Sequence, residues 1–210
     1  MKYQLTLIIS FLVFIATSCI EEEKYHHRYV SEETKEWSLF QPGSYWIYQN
    51  DSTGATDSVF IKEGPTSHFD GGPTDAMDYL EVINTSFSSS FISQIELEAH
   101  YYGANTISLN NTNASVLILR FPISNEIISQ NFYTFEYIEH FDSLNVNGTW
   151  IKETYHTRYT RLKEDTSTID YVYDFYIAKN IGIVICEKQS ETENFRWSLV
   201  RRNIVQQKLN

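Results

Sequence analysis

Gln94-Ile95-Glu96-Leu97-Glu98-Ala99-His100-Tyr101 decides the fold, because polar and apolar residues alternate along the whole segment. Side chains two residues apart lie on the same face of a β-strand, so this strand has one apolar and one charged face. The same period of two recurs in Tyr133–Phe141 and in Tyr171–Ile177, where the polar positions include Asp174. The three segments predict antiparallel strands with one face in a core and the other in water.

Shorter β-type segments fill much of the remaining chain. Tyr45–Gln49 and Val59–Lys62 flank a turn-rich stretch and predict a hairpin. Asn147-Gly148 predicts a tight turn between two further strands, because both residues tolerate the positive φ that such hairpins need. Two stretches rich in Gly, Pro, Asn or Thr, Gly64–Asp75 and Ala104–Ser115, are predicted to be loops.

The strand pattern predicts an all-β fold for residues 37–210. We expect a single antiparallel meander of about 8–10 strands, because the connections are short and polar. Such a sheet must protect its edges, so it is expected to be a strongly curved sheet or an open β-barrel.

The composition narrows the possible partners. The chain has 210 residues, 15% of them aromatic, and a formal net charge of −11 at pH 7. The aromatic excess favours strands, because flat rings pack well on a pleated surface. An acidic surface repels phosphate backbones and anionic lipid headgroups, so we expect neither nucleic-acid binding nor membrane attachment through a basic patch.

The N-terminal residues have the features of an export signal. Lys2 gives a basic start, Leu5–Ala16 is an apolar run, and small residues precede Cys19. The run is shorter than the roughly 20 residues that span a bilayer. Ala16-Thr17-Ser18-Cys19 resembles the lipobox of bacterial lipoproteins. The resemblance implies that residues 1–18 are a signal peptide and that Cys19 is acylated on its sulfur and amine, which would bind the membrane through acyl chains.

Residues 19–36 are predicted to be the lipidated cysteine and an acidic, flexible tether. The segment is densely charged and has few apolar positions, so it buries too little surface to offset the entropy of ordering. A short helix can begin at Ser31, where Ser-Glu-Glu-Thr is typical of a helix N-terminus.

Glu21, Glu22 and Glu23 resemble the acidic cluster that often follows the lipidated cysteine in Bacteroidetes lipoproteins. The likeness implies export to the outer face of the outer membrane, and a solvated charge run is the alternative. Phe40–Tyr48 and Gly182–Val200 also look like the two ends of small Bacteroidetes lipoproteins, where they bracket a β domain. This resemblance implies no activity. If Cys19 carries lipid, Cys186 has no cysteine to pair with, and we expect it to be a small buried side chain.

The chain has no catalytic motif of a known type. It has no Gly-x-Ser-x-Gly elbow, no phosphate-binding glycine loop and no His-Glu-x-x-His. Four clusters contain residue types that bind metals or act in catalysis, but each is also consistent with ordinary solvent-exposed residues. They are His26-His27, His68 with Asp70, Glu96 with Glu98, and Glu136 with His140. We therefore predict no catalytic residues, no metal site and no cofactor.

Four aromatic residues are candidate ligand contacts, because Tyr and Trp combine an apolar body with a polar tip. They are Trp46, Tyr48, Trp150 and Trp197. The alternative is that they are core residues and cross-strand pairs. Separately, Ser52, Ser58 and Ser143 lie in Asp-Ser-(Thr or apolar) triplets that resemble the O-glycosylation motif of Bacteroidetes exported proteins.

The sequence thus favours an envelope-anchored lipoprotein that acts as a non-enzymatic binding or accessory module. Its expected partner is a protein or glycan of the envelope, of unknown identity. The first alternative is a carrier of lipids or other hydrophobic ligands, which would need an apolar cavity above about 300 Å³. An enzyme is the third hypothesis and would need polar groups with perturbed pKa values converging in one cleft.

Overall fold

The computed structural model describes residues 26–61, 63–71, 78–89, 95–101, 105–110, 115–130, 132–163 and 168–206. These residues form fourteen strands and one helix. The strands are β1 (His26–Arg28), β2 (Tyr45–Asn50), β3 (Thr56–Ile61), β4 (Thr66–Gly71), β5 (Asp78–Ser88), β6 (Ile95–Tyr101), β7 (Asn105–Asn110), β8 (Ser115–Phe121), β9 (Ile128–Gln130), β10 (Tyr133–Val146), β11 (Thr149–Leu162), β12 (Ile169–Ala178), β13 (Gly182–Ser190) and β14 (Asn194–Asn203), and the helix is α1 (Glu32–Ser38). The predicted lipidation and export residues Cys19, Glu21, Glu22 and Glu23 lie outside the described residues.

The fourteen strands form one open sheet. Their order is β8-β7-β6-β5-β3-β2-β14-β13-β12-β11-β10-β9, with β1 and β4 also paired to β5. The pairings are antiparallel except for that of β1 with β5. β14 pairs with β2 in the middle of this order, and β8 and β9 are the two edge strands. The gap between these edges is here called the cut in the sheet. The predicted all-β, antiparallel and open architecture is confirmed.

A hydrogen bond across the interior shows how strongly the sheet curves. The Thr157 hydroxyl on β11 donates to the Ile118 carbonyl on β8 at 2.7 Å, although these strands are far apart in the sheet order. Thr157 is fully buried, so β8 and β11 approach each other around the core.

The described residues contain fourteen strands, more than the predicted 8–10. One reason is that β4 and β7 lie inside the stretches predicted to be loops, Gly64–Asp75 and Ala104–Ser115. Both strands are paired along their length, β4 with β5 and β7 with β6 and β8. Hydrogen bonds to neighbouring strands therefore override the local turn preference of Gly, Pro and Asn at these places.

The β10–β11 hairpin turns at Asn147-Gly148, as the sequence predicts. Val146 pairs with Thr149, which leaves two residues in the turn, and their φ angles are +49° and +81°. Positive φ at both central residues matches the right-handed twist of the flanking strands.

Side chains that the alternation in Gln94–Tyr101 and Tyr171–Ile177 assigns to the apolar face lie in the core. Leu97 and Ala99 are buried, as are Phe175 and Ile177 of β12. Asp174 is an exception. The alternation predicts that it faces water, but the residue is only 5% exposed. Side chains on the neighbouring strand β11 cover this carboxylate and bind it.

The predicted flexible tether extends over residues 19–36, but the structure includes residues 26–36 in the folded domain. β1 pairs with the first residues of β5, and Val30 and Thr34 are fully buried. α1 begins where the sequence allows a helix, and the Ser31 side chain accepts a hydrogen bond from the Thr34 N–H at 3.1 Å. Tertiary contacts to distant strands thus supply the buried surface that this charged segment lacks on its own.

α1 fills the space between the two halves of the curved sheet. Trp37 packs against Phe121 of β8 and Tyr155 of β11, with ring centroids 6.1 and 5.1 Å apart. The carbonyl of Glu36 accepts a hydrogen bond from the Asn180 N–H at 3.0 Å. In the described part of the chain, no helix is long and apolar enough to cross a membrane.

Candidate binding surface

Four aromatic side chains form a connected cluster on the surface, here called the aromatic patch: His27, Tyr29, Phe69 and Tyr79. His27 stacks on Tyr79 with ring centroids 5.3 Å apart and meets the edge of Phe69 at 4.9 Å. Tyr29 contacts Phe69 at 5.5 Å in a T-shaped arrangement. Tyr29 is 61% exposed and Phe69 39% exposed, so the cluster faces solvent in the isolated chain.

Three strands bring the patch together from distant parts of the sequence. His27 on β1 is paired with Tyr79 on β5, and Tyr79 is paired with Gly71 on β4. Phe69 lies two residues from Gly71 and therefore on the same face of β4. The six residues of β4 are exposed, and Phe69 contacts rings of the neighbouring N-terminal segment.

Glu81 holds both flanking segments of the patch. Its side chain is buried and accepts hydrogen bonds from the Val30 N–H and the Ser67 hydroxyl, each at 2.9 Å. Val30 follows β1 and Ser67 belongs to β4, so one carboxylate on β5 positions the strands on its two sides. Sequence reasoning missed this residue, and the signal was a single acid inside the apolar run Tyr79–Ile83.

Of the predicted ligand contacts, Trp46 is a core residue and Tyr48 is half-buried and packs against the core. Trp46 is 2% exposed and its Nε1–H donates to the Ile181 carbonyl at 2.6 Å. The Tyr48 hydroxyl donates to the Ile183 carbonyl at 2.7 Å, and burial raises its pKa well above the ordinary range. The core alternative therefore applies to both side chains.

The other two predicted aromatic contacts differ in exposure. Trp150 is 68% exposed next to the turn of the β10–β11 hairpin, where it pairs with Asn145. Trp197 on β14 is half-buried and pairs with Cys186 and Asn50. Trp150 is thus the predicted contact that is most accessible to a ligand.

The three candidate O-glycosylation residues are exposed. Ser52 lies in the turn after β2, Ser58 on β3 and Ser143 on β10. Accessibility is necessary for modification but does not test it, so glycosylation stays a prediction.

A buried polar cluster lies on β11 and β12. His156 Nε2 is 2.8 Å from Asp174 Oδ1, and the His156 ring stacks on Tyr176 with centroids 4.2 Å apart. Arg158 binds the same carboxylate. Burial alone would raise the pKa of Asp174, but the hydrogen bonds from His156 and Arg158 outweigh it and lower the pKa below its ordinary value. Its partners satisfy this ionised carboxylate, so the cluster is a structural ion pair.

Glu98, one member of the predicted Glu96–Glu98 pair, belongs to a hydrogen-bonded network. Glu98 Oε2 accepts a hydrogen bond from Asn110 Nδ2 at 3.0 Å, and its Oε1 lies 3.6 Å from His100 Nε2. Burial lowers the pKa of His100, against the opposing attraction of Glu98 and Asp70.

Two further candidate histidines each lie close to one carboxylate. His68 and Asp70 are 3.4 Å apart on exposed β4, and His140 lies 3.7 Å from Asp142. In the described ranges of the chain, no group of three or more His, Cys, Asp or Glu could hold a metal ion. Burial raises the pKa of the Cys186 thiol to about 12, which makes it a poor nucleophile.

A small pocket marks the cut in the sheet. It is lined by β8, by the segment that leads to β9, and by Phe135, Tyr137 and Thr157, and its cavity volume is about 10 Å³. That volume holds about one water molecule. It is far below the size that the carrier hypothesis needs.

The comparisons with known proteins give a likeness of fold without a family. No family model matches the chain, and no curated protein matches it. A predicted exported protein with a YmcC-like fold from Bacteroides fragilis NCTC 9343 is similar, with a TM-score of 0.42 and 11% identity, over 79% of this chain and 99% of that chain. A predicted lipoprotein from Parabacteroides distasonis ATCC 8503 is similar with a TM-score of 0.39 and 8% identity, over the same shares of the two chains. A likeness at this level assigns no activity to the chain.

Proposed function

We propose that the chain is a lipoprotein of the outer membrane of a Gram-negative bacterium, faces the cell surface, and acts there as a non-enzymatic binding or accessory module. Cys19 carries the acyl chains in this proposal, and Glu21, Glu22 and Glu23 direct the protein to the surface. Its partner is a protein or glycan of the same envelope.

The proposal rests on how soon after Cys19 the chain becomes part of the folded domain. β1 is hydrogen-bonded to β5 from His26 onward, and Val30 is buried. Cys19 and His26 are seven residues apart, and seven extended residues span at most about 25 Å. Acyl chains on Cys19 would therefore keep the body beside the bilayer, which raises its effective concentration for neighbours at that surface.

Two features favour a binding module over the alternative functions. The pocket at the cut in the sheet, with a volume of about 10 Å³, gives a hydrophobic-ligand carrier no support. In the polar clusters around Asp174 and Glu98, the carboxylates accept hydrogen bonds from side chains of the same sheet. These hydrogen bonds give the two carboxylates a structural role. The exposed aromatic side chains, by contrast, are of the type that recognition surfaces use.

Acyl labelling tests the anchor. Cells that express the native chain or the Cys19→Ala variant are grown with labelled palmitate and then fractionated. We expect Cys19→Ala to lose the label, to keep its signal peptide and to leave the fraction that the acylated protein occupies. Cys186→Ala is the matched control and should keep label and location. A Cys19→Ala protein that retains label and mature size would disprove the proposal.

Proteolysis of intact cells tests the orientation. Protease added outside should degrade the native protein and spare a Glu21→Ala/Glu22→Ala/Glu23→Ala variant that still carries its lipid. Glu32→Ala/Glu33→Ala is the control, because these two acids are exposed in the first turn of α1 and lie outside the proposed signal. Equal degradation of all three proteins would remove the role assigned to the acidic cluster.

A further inference from the structure

We propose that the aromatic patch lies against the lipid headgroup interface of the membrane that holds the acyl chains of Cys19. The inference rests on the proposed lipid anchor and adds to it a defined contact face and a defined partner, the lipid headgroup surface itself.

The position of the patch follows from the length of the N-terminal segment. His27 is on the first strand of the described chain, eight residues after Cys19, so the two are at most about 29 Å apart when the chain is extended. The headgroup region adds about 5–8 Å on each side of the hydrocarbon core. An acylated chain therefore keeps β1, and with it the neighbouring residues of β5, close to the membrane surface.

The side chains of the patch suit that environment. Tyr and other amphipathic rings are enriched at membrane–water interfaces, where the ring body is apolar and the tip is hydrated. Tyr29, Phe69 and His27 are exposed, and His27 contacts the other two rings and stacks on the half-buried Tyr79. Partial burial of such rings among headgroups is favourable, because the apolar ring bodies leave water. This contact does not need a groove in the protein.

The neighbouring charges do not oppose this contact. Arg28 and Asp78 pair with each other at 3.3 Å, and alternation places them on the opposite face from His27 and Tyr79. The Glu81 carboxylate is buried and bound by two donors. Because the chain as a whole carries a net charge of −11, the contact should rest on the rings and not on attraction to anionic lipids.

Gly71 provides a position at which the contact can be measured without removing a ring. It lies opposite Tyr79 on the patch face of β4, and a Cβ added there would meet nothing within 4 Å. Asp70 is its neighbour on the same strand, with its side chain on the other face and 63% exposed. A cysteine at either position is accessible to a thiol-reactive fluorophore.

The experiment uses the full acylated protein in vesicles of neutral phosphatidylcholine. Gly71→Cys and Asp70→Cys are each combined with Cys186→Ala and labelled with an environment-sensitive fluorophore. We expect the probe at position 71 to shift to shorter wavelength and to lose most of its emission when the lipids are brominated. The probe at position 70 should keep the emission that it has in water.

A second variant tests whether the rings are responsible. Tyr29→Ser/Phe69→Ser should return the probe at position 71 to its aqueous emission, whereas Phe60→Ser, which removes an exposed ring of β3, should leave the lipid contact unchanged. Circular dichroism checks that each variant is folded.

The outcomes separate the docking inference from the anchor on which it rests. A protein that floats with the vesicles while both probes report water keeps its anchor and overturns the docking. A protein that does not float with the vesicles overturns the anchor and the docking together. A probe at position 71 that changes only on addition of an envelope protein overturns the lipid interface as the partner of the patch.

Discussion

Arg158 binds the carboxylate of Asp174 with two nitrogen atoms across strands β11 and β12. Nε lies 2.9 Å from Oδ1, and Nη2 lies 3.2 Å from Oδ2. His156 shares Oδ1, so two side chains meet at one buried carboxylate on a sheet face that the sequence predicts to be solvated. The arrangement leads to specific expectations for stability.

Replacing Asp174 with Asn should lower the free energy of unfolding by about 2–3 kcal/mol, because Arg158 and His156 lose a charged acceptor in a buried setting. Urea titration followed by circular dichroism measures the change. Glu187→Gln is the control. Glu187 is the cross-strand neighbour of Asp174 and pairs with Arg196 at the surface, where an ion pair contributes about 0–1 kcal/mol. Equal losses for the two variants would contradict a special role for Asp174.

The stability of the fold should fall at acid pH in a way that depends on Asp174. Its folded-state pKa is below the ordinary value of 3.8, so the unfolded chain takes up the proton first as the pH falls. The contribution of this carboxylate is therefore complete above about pH 4 and is lost as the pH falls through the lower, folded-state pKa. The difference in unfolding free energy between the native protein and Asp174→Asn should shrink over that window. A constant difference from neutral to strongly acid pH would contradict this prediction.

Trp37 should be the tryptophan on which the N-terminal segment depends. It is buried against Phe121 and Tyr155, so Trp37→Ala should cost about 3–5 kcal/mol of unfolding free energy. Trp150→Ala removes the same side chain from an exposed position and should change the stability by less than about 0.5 kcal/mol. Thermal unfolding of both variants checks the contrast, and a native-like Trp37→Ala protein would show that α1 is dispensable.

Glu81 should set the local stability of the patch strands. Glu81→Gln weakens the charge-assisted hydrogen bonds from the Val30 N–H and the Ser67 hydroxyl. We expect faster amide hydrogen exchange at Val30 and along β4. Ser67→Ala is the control and should speed exchange on β4 alone. Unchanged protection at Val30 in Glu81→Gln would contradict the positioning role.

Gly148 should be required for its backbone conformation and not for space. Its φ is +81°, and a Cβ there would meet nothing within 4 Å, so Gly148→Ala should cost about 1 kcal/mol from left-handed strain alone. Gly71→Ala should cost less, because no positive φ is recorded at that open position. Chemical denaturation of the two variants measures the difference, and equal effects would contradict the assignment of strain to the turn.

The parts of the fold that were predicted correctly depend on local patterns. Leu97 and Ala99 are on the buried face that their alternation indicates, and Asn147-Gly148 turns the chain where positive φ is needed. In each case the information lies within a few residues of sequence, because the strand period and the turn geometry are local properties.

The parts that were missed depend on contacts between distant residues. β4 lies in a stretch that reads as a loop and becomes a strand by pairing with β5. Residues 26–36 look too polar to fold, yet Val30 is buried where Glu81, fifty-one residues later, accepts its N–H. The aromatic patch joins His27, Phe69 and Tyr79 through the same pairings. Trp46 and Tyr48 are more conspicuous in the sequence, but Trp46 is in the core and Tyr48 packs against it. No pattern within one segment of sequence indicates these contacts between distant residues.

The pairing of β14 with β2 has a consequence for the order of events during synthesis. These strands join the two halves of the strand order, β8-β7-β6-β5-β3-β2 and β14-β13-β12-β11-β10-β9, and they come from opposite ends of the domain. The junction cannot form until Asn194–Asn203 has left the ribosome. A chain with this connectivity remains incompletely folded while it is being made, and the proposed export through a translocation channel needs a chain in that state.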